Sequence, residues 1–231
     1  MINQNGQITV FNVGAELTPV ISIDNFLQST ISMVKGACNG PGFRDVTSTF
    51  YPGHKAPILK EHRLAVVDYV TPLVRKYYHI PDRLTANNGS CFYGLVSQSP
   101  STLKPPQCIP HIDNAGEFDF AVMLYLGEGD FGGTSFYRHI ESGYERITED
   151  RENSYFQLLD KYMNTNEIKE SKYFYEDGHG YERIGQMKYQ ANRLVIYPSS
   201  LLHSGDIKSE MNISSDPSTG RLTANFFMRF A

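Results

Sequence analysis

The sequence has few cysteines, no cluster of basic residues and no long apolar run. Its three cysteines, Cys38, Cys91 and Cys108, are odd in number and widely spaced, which argues against a disulfide framework or a zinc knuckle. The net charge of −4, without a basic block, argues against a nucleic-acid-binding protein. No apolar stretch could span a bilayer, and the initial MINQNGQITVFNV lacks the features of a signal peptide. We therefore expect a cytoplasmic protein with reduced thiols and no membrane or nucleic-acid partner.

The length and the arrangement of apolar residues suit a single domain, which we expect to span residues 1–231. A chain of this length with 40% hydrophobic residues can bury a sizeable core. Helical spacing of apolar residues predicts helices over 22–37 and 58–78, so the part up to about residue 85 is expected to be helical. Short aromatic and β-branched segments follow at 90–97, 117–126, 134–138, 182–189, 192–198 and 221–230. This order predicts a mainly β sandwich or barrel with flanking helices.

A more polar insertion, at about 139–181, interrupts the β half of the chain. Its sequence predicts a helix over about 149–163, between two strands. Long insertions at the mouth of a barrel often form lids. The alternative is a solvated cover that completes the core through its apolar side chains, Tyr155, Phe156, Leu158 and Leu159.

A histidine and an aspartate lie two positions apart in CIPHIDNAG, just before an apolar strand. Alternation along a strand would point His111 and Asp113 to the same side. Two ligands are too few for a metal, and His203 is the best candidate for a third, because early and late strands of a jelly roll lie side by side. Two histidines and one carboxylate form the facial triad of non-haem Fe(II) oxygenases. An HxD motif alone is a weak signal, since a histidine at a strand end is more often structural.

The last predicted strand, GRLTANFFMRF, strengthens the metal hypothesis. Arg221, Thr223, Asn225 and Phe227 alternate with apolar residues and would share one face. A guanidinium inside a barrel needs an anionic partner, because an unpaired buried charge is costly. A dicarboxylic acid could supply that partner. The RxT pattern also occurs at 83–85 and 146–148, but only this copy follows His203 within the final strand.

These motifs together resemble the catalytic core of the Fe(II)/2-oxoglutarate-dependent oxygenases. VMLYL followed by GGTSF resembles the prolyl 4-hydroxylase-like branch, and the chain also resembles a poorly characterised bacterial family of that superfamily. The resemblance extends from about residue 17 to the end, through FYPGHKAP (50–57), QCIPHID (107–113), SFYRH (135–139), LLHSGD (201–206) and STGRLTANFF (218–227). It implies a double-stranded β-helix, or jelly-roll, core of the cupin type over about 86–231.

The resemblance also implies a set of ligands and a reaction. His111, Asp113 and His203 would bind Fe(II), while Arg221, helped by Thr223, would bind 2-oxoglutarate. O₂ would be consumed with release of succinate and CO₂, with ascorbate as a candidate reductant. Because Asp113 fills the position that related halogenases leave open, oxygenation (hydroxylation or desaturation) is expected rather than halogenation. Arg221 lies 18 residues after His203, farther than is usual, and prolyl 4-hydroxylases use lysine at the arginine position, which weakens the inference of a prolyl substrate.

Several candidates and functions remain open from the sequence. The phenol of Tyr125 is a candidate for cosubstrate binding, although a structural role is the simpler reading, and Tyr93 and Gln107 could line the site. The substrate is expected to be an amino acid, a peptide or another small metabolite, and a homodimer is compatible with the sequence. One alternative is a cupin-like metal protein that acts as an isomerase or hydrolase and does not use 2-oxoglutarate. The other is a non-catalytic binding module.

Overall fold

Two antiparallel sheets are the centre of the computed structural model, which describes residues 1–45, 51–166, 171–207 and 213–231. The larger sheet has the strand order β1-β2-β9-β6-β11-β5-β4-β3, and the smaller sheet has the order β10-β7-β8. The strands are β1 (Gln7–Val13), β2 (Thr18–Asp24), β3 (Arg44–Asp45), β4 (Gly53–Pro57), β5 (Ala86–Val96), β6 (Asp119–Tyr125), β7 (Thr134–His139), β8 (Tyr181–Met187), β9 (Leu194–Pro198), β10 (His203–Gly205) and β11 (Leu222–Phe230). The helices are α1 (Ile31–Asn39), α2 (Lys60–Tyr77) and α3 (Glu149–Thr165). The predicted mainly β fold with flanking helices is confirmed.

The N-terminal part is less helical than the sequence predicted, because β1 to β4 also lie before residue 85. The helix predicted from residue 22 begins only at Ile31. Residues Ser22 and Ile23 instead pair with β9, and the whole of β2 pairs with β1 as a hairpin. Helical spacing over a short window is ambiguous when one segment is a strand buried on both sides. Here, pairing with β1 and β9 decided the outcome.

The second predicted helix is confirmed as α2, which continues through Pro72. Its buried residues, His62, Val66, Val67, Val70 and Val74, recur at helical spacing. The four valines join the largest core cluster, together with one face of β11. That face carries Leu222, Ala224, Phe226 and Met228, as the alternation along the strand predicted. The opposite face of β11 is therefore available to line a cavity.

All three cysteines are free thiols: Cys38 is exposed, Cys91 is half-buried and Cys108 is buried. Within the described ranges, no helix combines the length and apolar character needed to cross a membrane.

Candidate metal centre and adjoining cavity

A cavity of about 570 Å³ lies against the second face of β11. Both sheets, α3 and the segment before β6 contribute to its walls, which are mostly apolar. Arg221, Thr223, Asn225 and Phe227 all line it, which confirms that these four residues share one side. His111, Asp113 and His203 line the same cavity.

Backbone pairing brings the three predicted metal ligands together. His111 and Asp113 precede β6 rather than lie within it, since β6 begins at Asp119. His111 instead exchanges two backbone hydrogen bonds with His203, of 3.0 and 2.9 Å, and the amide of Asp113 donates to the carbonyl of Ser199 at 2.9 Å. The segment that carries His111 and Asp113 therefore lies beside the later segment that carries His203, as expected.

The ligand atoms of the three side chains all lie within 4.8 Å of one another. The His203 Nε2 to Asp113 Oδ2 distance is 3.6 Å, and the two imidazole rings are 4.4 Å apart between centroids. A single ion could reach all three after small side-chain rotations. His203 is buried, whereas His111 and Asp113 are open to the cavity, so a bound metal would face the cavity.

The protonation states of the histidines suit metal binding. His203 Nδ1 donates to the carbonyl of Leu201 at 2.8 Å, which leaves the Nε2 lone pair on the side of Asp113. Burial lowers the pKa of both His111 and His203 to about 4, and the proximity of His203 adds to the effect on His111. Burial raises the pKa of Asp113, while His111 and Lys55 act in the opposite direction. Two neutral imidazoles and one carboxylate fit a divalent first-row metal.

Arg221 is buried beside the cavity and is held by the backbone. Its Nε donates to the carbonyl of Gly132 at 2.8 Å and its Nη2 to that of Gly133 at 2.9 Å. The guanidinium carbon lies 5.7 and 5.9 Å from the ring centroids of Tyr125 and Tyr189. Over the described residues, Arg221 forms no ion pair and its Nη1 forms no hydrogen bond. The predicted interior cation is therefore present, with no acidic partner in that part of the chain.

Two hydroxyl groups and an amide lie near this guanidinium. Thr223 Oγ1 accepts a hydrogen bond from Asn225 Nδ2 at 2.9 Å. Burial raises the pKa of Tyr51 to about 12, although the Arg221 guanidinium and a hydrogen bond with Thr223 lower it. A Cβ on Gly94 would lie 2.4 Å from the Tyr51 hydroxyl, so only glycine leaves room for this phenol. Sequence reasoning missed Tyr51, although it lies in the FYPGHKAP motif.

The other candidates from the sequence lie in different places. Tyr125 is absent from the cavity lining: its hydroxyl hydrogen-bonds with Thr134 Oγ1 at 2.8 Å, and Thr134 lines the cavity instead. The expected direct contact of Tyr125 with a cosubstrate is therefore not supported. The expectation for Tyr93 is wrong, because its side chain is in the main core and its hydroxyl lies 3.3 Å from His62 Nδ1. Gln107 does line the cavity.

The insertion between β7 and β8 contributes both to the cavity wall and to the core. Tyr155, Phe156 and Leu159 of α3 line the cavity, as does Tyr173. Phe174 packs instead against Tyr137 in a separate core cluster. The segment is thus both a cavity wall and part of the core, and its action as a lid stays a prediction.

Comparisons with known proteins agree with this architecture. Residues 4–228 match the model of a family of unknown function (DUF6445), and the chain belongs to that family. A search of curated proteins found no match. The structure is similar to HygX from Streptomyces hygroscopicus with nickel and 2-oxoglutarate bound, at 10% identity and a TM-score of 0.50, covering 93% of this chain and 84% of that one. It is also similar to SnoK, a non-heme alpha ketoglutarate dependent carbocyclase from nogalamycin biosynthesis, at 10% identity and a TM-score of 0.52, covering 91% and 79%. These similarities confirm the predicted jelly-roll fold.

Proposed function

We propose that this member of the DUF6445 family is a non-haem Fe(II)/2-oxoglutarate-dependent oxygenase. The observation that carries the proposal is that one cavity contains both a two-histidine, one-carboxylate cluster and a guanidinium without an acidic partner among the described residues. A metal needs the first feature and a dicarboxylic cosubstrate needs the second. The similar fold of HygX, whose structure holds nickel and 2-oxoglutarate, supports this combination.

Each group in the cavity has a distinct role in the proposal. His111, Asp113 and His203 would hold Fe(II), which when bound supplies the reaction of O₂ with 2-oxoglutarate that yields succinate, CO₂ and oxidised substrate. The hydrogen bond from His203 to Leu201 keeps Nε2 free of a proton and directed towards the metal. The mostly apolar walls lower the local dielectric and would so strengthen electrostatic contacts inside the site. Ascorbate would serve as an external reductant.

Arg221 would bind the distal carboxylate of 2-oxoglutarate. Because Nε and Nη2 already donate to backbone carbonyls, the guanidinium is held rigidly and offers Nη1. Thr223 and Tyr51 line the same cavity as Arg221, and their hydroxyl groups would share that carboxylate. Because this charged donor is already held in position, little side-chain conformational entropy is lost when it binds a carboxylate.

The carboxylate of Asp113 favours hydroxylation over halogenation, since it occupies the position that a chloride ligand would need. The substrate would be an amino acid, a peptide or another small metabolite that enters between the apolar walls.

One observation favours a second candidate, a cupin-like metal protein that does not use 2-oxoglutarate. Arg221 donates to Gly132 and Gly133 and lies near two aromatic rings, so its charge is already partly stabilised within the fold. In that case the guanidinium would be structural, and an isomerase or hydrolase would use the metal alone.

Anaerobic titration of Fe(II)-loaded protein with 2-oxoglutarate separates the two candidates. The oxygenase should develop the visible charge-transfer band of a keto acid bound to iron, and admission of air should yield succinate. Asp113→Ala should lose both signals, whereas Asp160→Ala, which removes an exposed carboxylate of α3, should keep them. Absence of the band in the wild-type protein would favour the cupin-like alternative.

A further inference from the structure

Lys55 brings a second cation into the cavity, and the proposed function does not use it. The residue lies on β4 and lines the cavity, where it is half-buried. Its Nζ lies 4.0 Å from the ring centroid of Phe92 and 4.9 Å from that of Tyr51. Over the described residues, Nζ has neither a hydrogen-bond acceptor nor an ion-pair partner within 4 Å. Aromatic faces hold a cation in place but do not neutralise it.

Strand register separates Lys55 from the proposed cosubstrate site. Lys55 pairs with Gly94 of β5, and Gly94 pairs with Thr223 of β11. The backbones of Lys55 and Thr223 are therefore two strand spacings apart, about 10 Å. One small dicarboxylic acid bound at Arg221 and Thr223 would leave room for a second anionic group at Lys55.

The acid whose charge acts on Lys55 would not neutralise it once a metal is bound. Burial lowers the pKa of Lys55, and among the described residues the charge of Asp113 acts to raise it. Asp113 is, however, a proposed metal ligand, and its negative charge would then be directed to the metal. An ammonium group in a largely apolar cavity remains, which is costly without a counter-charge.

The walls of the cavity that Lys55 enters indicate the remainder of the ligand. Phe92, Phe227, Met123 and Ile112 line the cavity, and Phe156 and Leu159 close it from α3. These side chains suit an apolar body, while a single ammonium suits one carboxylate. We propose that Lys55 binds the carboxylate of the substrate, which is an acid with an apolar body. The reaction assigned to that acid rests on the proposed function, but its binding does not.

Calorimetric titration of the Ni(II)-loaded protein tests this inference. The ligands are octanoate and its neutral isostere octanamide, each titrated with and without saturating 2-oxoglutarate. The wild-type protein should prefer the acid, and Lys55→Met should bind octanoate roughly ten- to a hundredfold more weakly, with unchanged affinity for the amide. Lys55→Arg should retain part of the preference because the charge survives. Lys76→Met is the matched control: Lys76 Nζ also lies over a ring, 5.0 Å from the centroid of Tyr77, but outside the cavity.

Three results would overturn the inference. The first is that the wild-type protein binds octanoate and octanamide with equal affinity, or binds neither of them. The second is wild-type affinity for octanoate in a folded Lys55→Met protein, as judged by thermal denaturation. The third is competitive displacement of octanoate by 2-oxoglutarate, which would assign Lys55 to the cosubstrate site. The same titrations report 2-oxoglutarate binding, so a failure of the proposed function would be recognised separately, and the acid–amide comparison would still decide the role of Lys55.

Discussion

Replacing Arg221 with alanine should separate binding of the cosubstrate from binding of the metal. The metal ligands are untouched by this change, so the variant should bind Fe(II) like the wild-type protein. Affinity for 2-oxoglutarate should fall, because a hydrogen bond between charged groups contributes about 1.5–3 kcal/mol. That energy corresponds to a loss of roughly tenfold to more than a hundredfold.

The structure also predicts a cost to stability from the same change. The carbonyls of Gly132 and Gly133 would each lose the hydrogen bond from the guanidinium, and a hydrogen bond from a charged group contributes about 1.5–3 kcal/mol. For a chain of this size, each 1 kcal/mol lowers the melting temperature by roughly 2–4 °C. Arg221→Lys should recover part of the affinity but little of this stability, since one ammonium group cannot reproduce the planar fork.

Anaerobic titration, followed by the charge-transfer band, gives the dissociation constant directly. Arg229→Ala is the control on the same strand: Arg229 bonds Asp119 at 2.6 and 2.7 Å and does not line the cavity. It should lose stability without losing affinity for 2-oxoglutarate. If Arg221→Ala binds 2-oxoglutarate as tightly as the wild-type protein, the guanidinium is structural and the reasoning is refuted.

Three further outcomes follow from the geometry. Gly94→Ala should displace the phenol of Tyr51, because the new Cβ would lie 2.4 Å from the Tyr51 hydroxyl. The affinity for 2-oxoglutarate, measured by the same titration, should fall. An unchanged affinity would exclude Tyr51 from the site. Phe156→Ala, in the cavity wall, should alter substrate KM while leaving metal and 2-oxoglutarate affinities unchanged, and a loss of those affinities would contradict a wall or lid role. In metal-free protein, NMR titration should place the pKa of His111 and His203 near 4. Between pH 6.5 and 4 the unfolded chain therefore binds more protons than the folded protein. The contribution of the two neutral histidines to the free energy of unfolding is complete above pH 6.5 and is lost as the pH falls towards 4. Two values near 6.5 would contradict this.

The sequence was most informative about strand faces and about the order of motifs. Alternation in GRLTANFFMRF predicted both faces of β11, because side-chain direction in a strand follows directly from position. The order HxD, then His203, then RxT indicated which distant residues to group, and the structure brings His111, Asp113 and His203 within reach of one ion. Their role as ligands remains a prediction.

Side-chain surroundings that depend on strand neighbours were not predictable in this way. Tyr93 lies opposite Ala224 on the core face of the sheet, so it cannot line the cavity. Tyr125 lies opposite Thr223 on the cavity side, but Thr134 of the smaller sheet interacts with its hydroxyl and lines the cavity in its place. Neither relation appears in the local sequence.

The sequence by itself thus determined the mainly β character, the helices α2 and α3, the alternation of β11 and the candidate metal ligands, since each depends on residues a few positions apart or on a recognisable motif order. Only the tertiary structure placed β1 and β2 in the large sheet and brought Tyr51 and Lys55 into the cavity. Pairing of β4 with β5 joins residues 35 to 43 positions apart, and pairing of β5 with β11 joins residues more than a hundred positions apart. Such pairing is selected by the packing of the whole core, and the local periodicity of any one segment does not encode it.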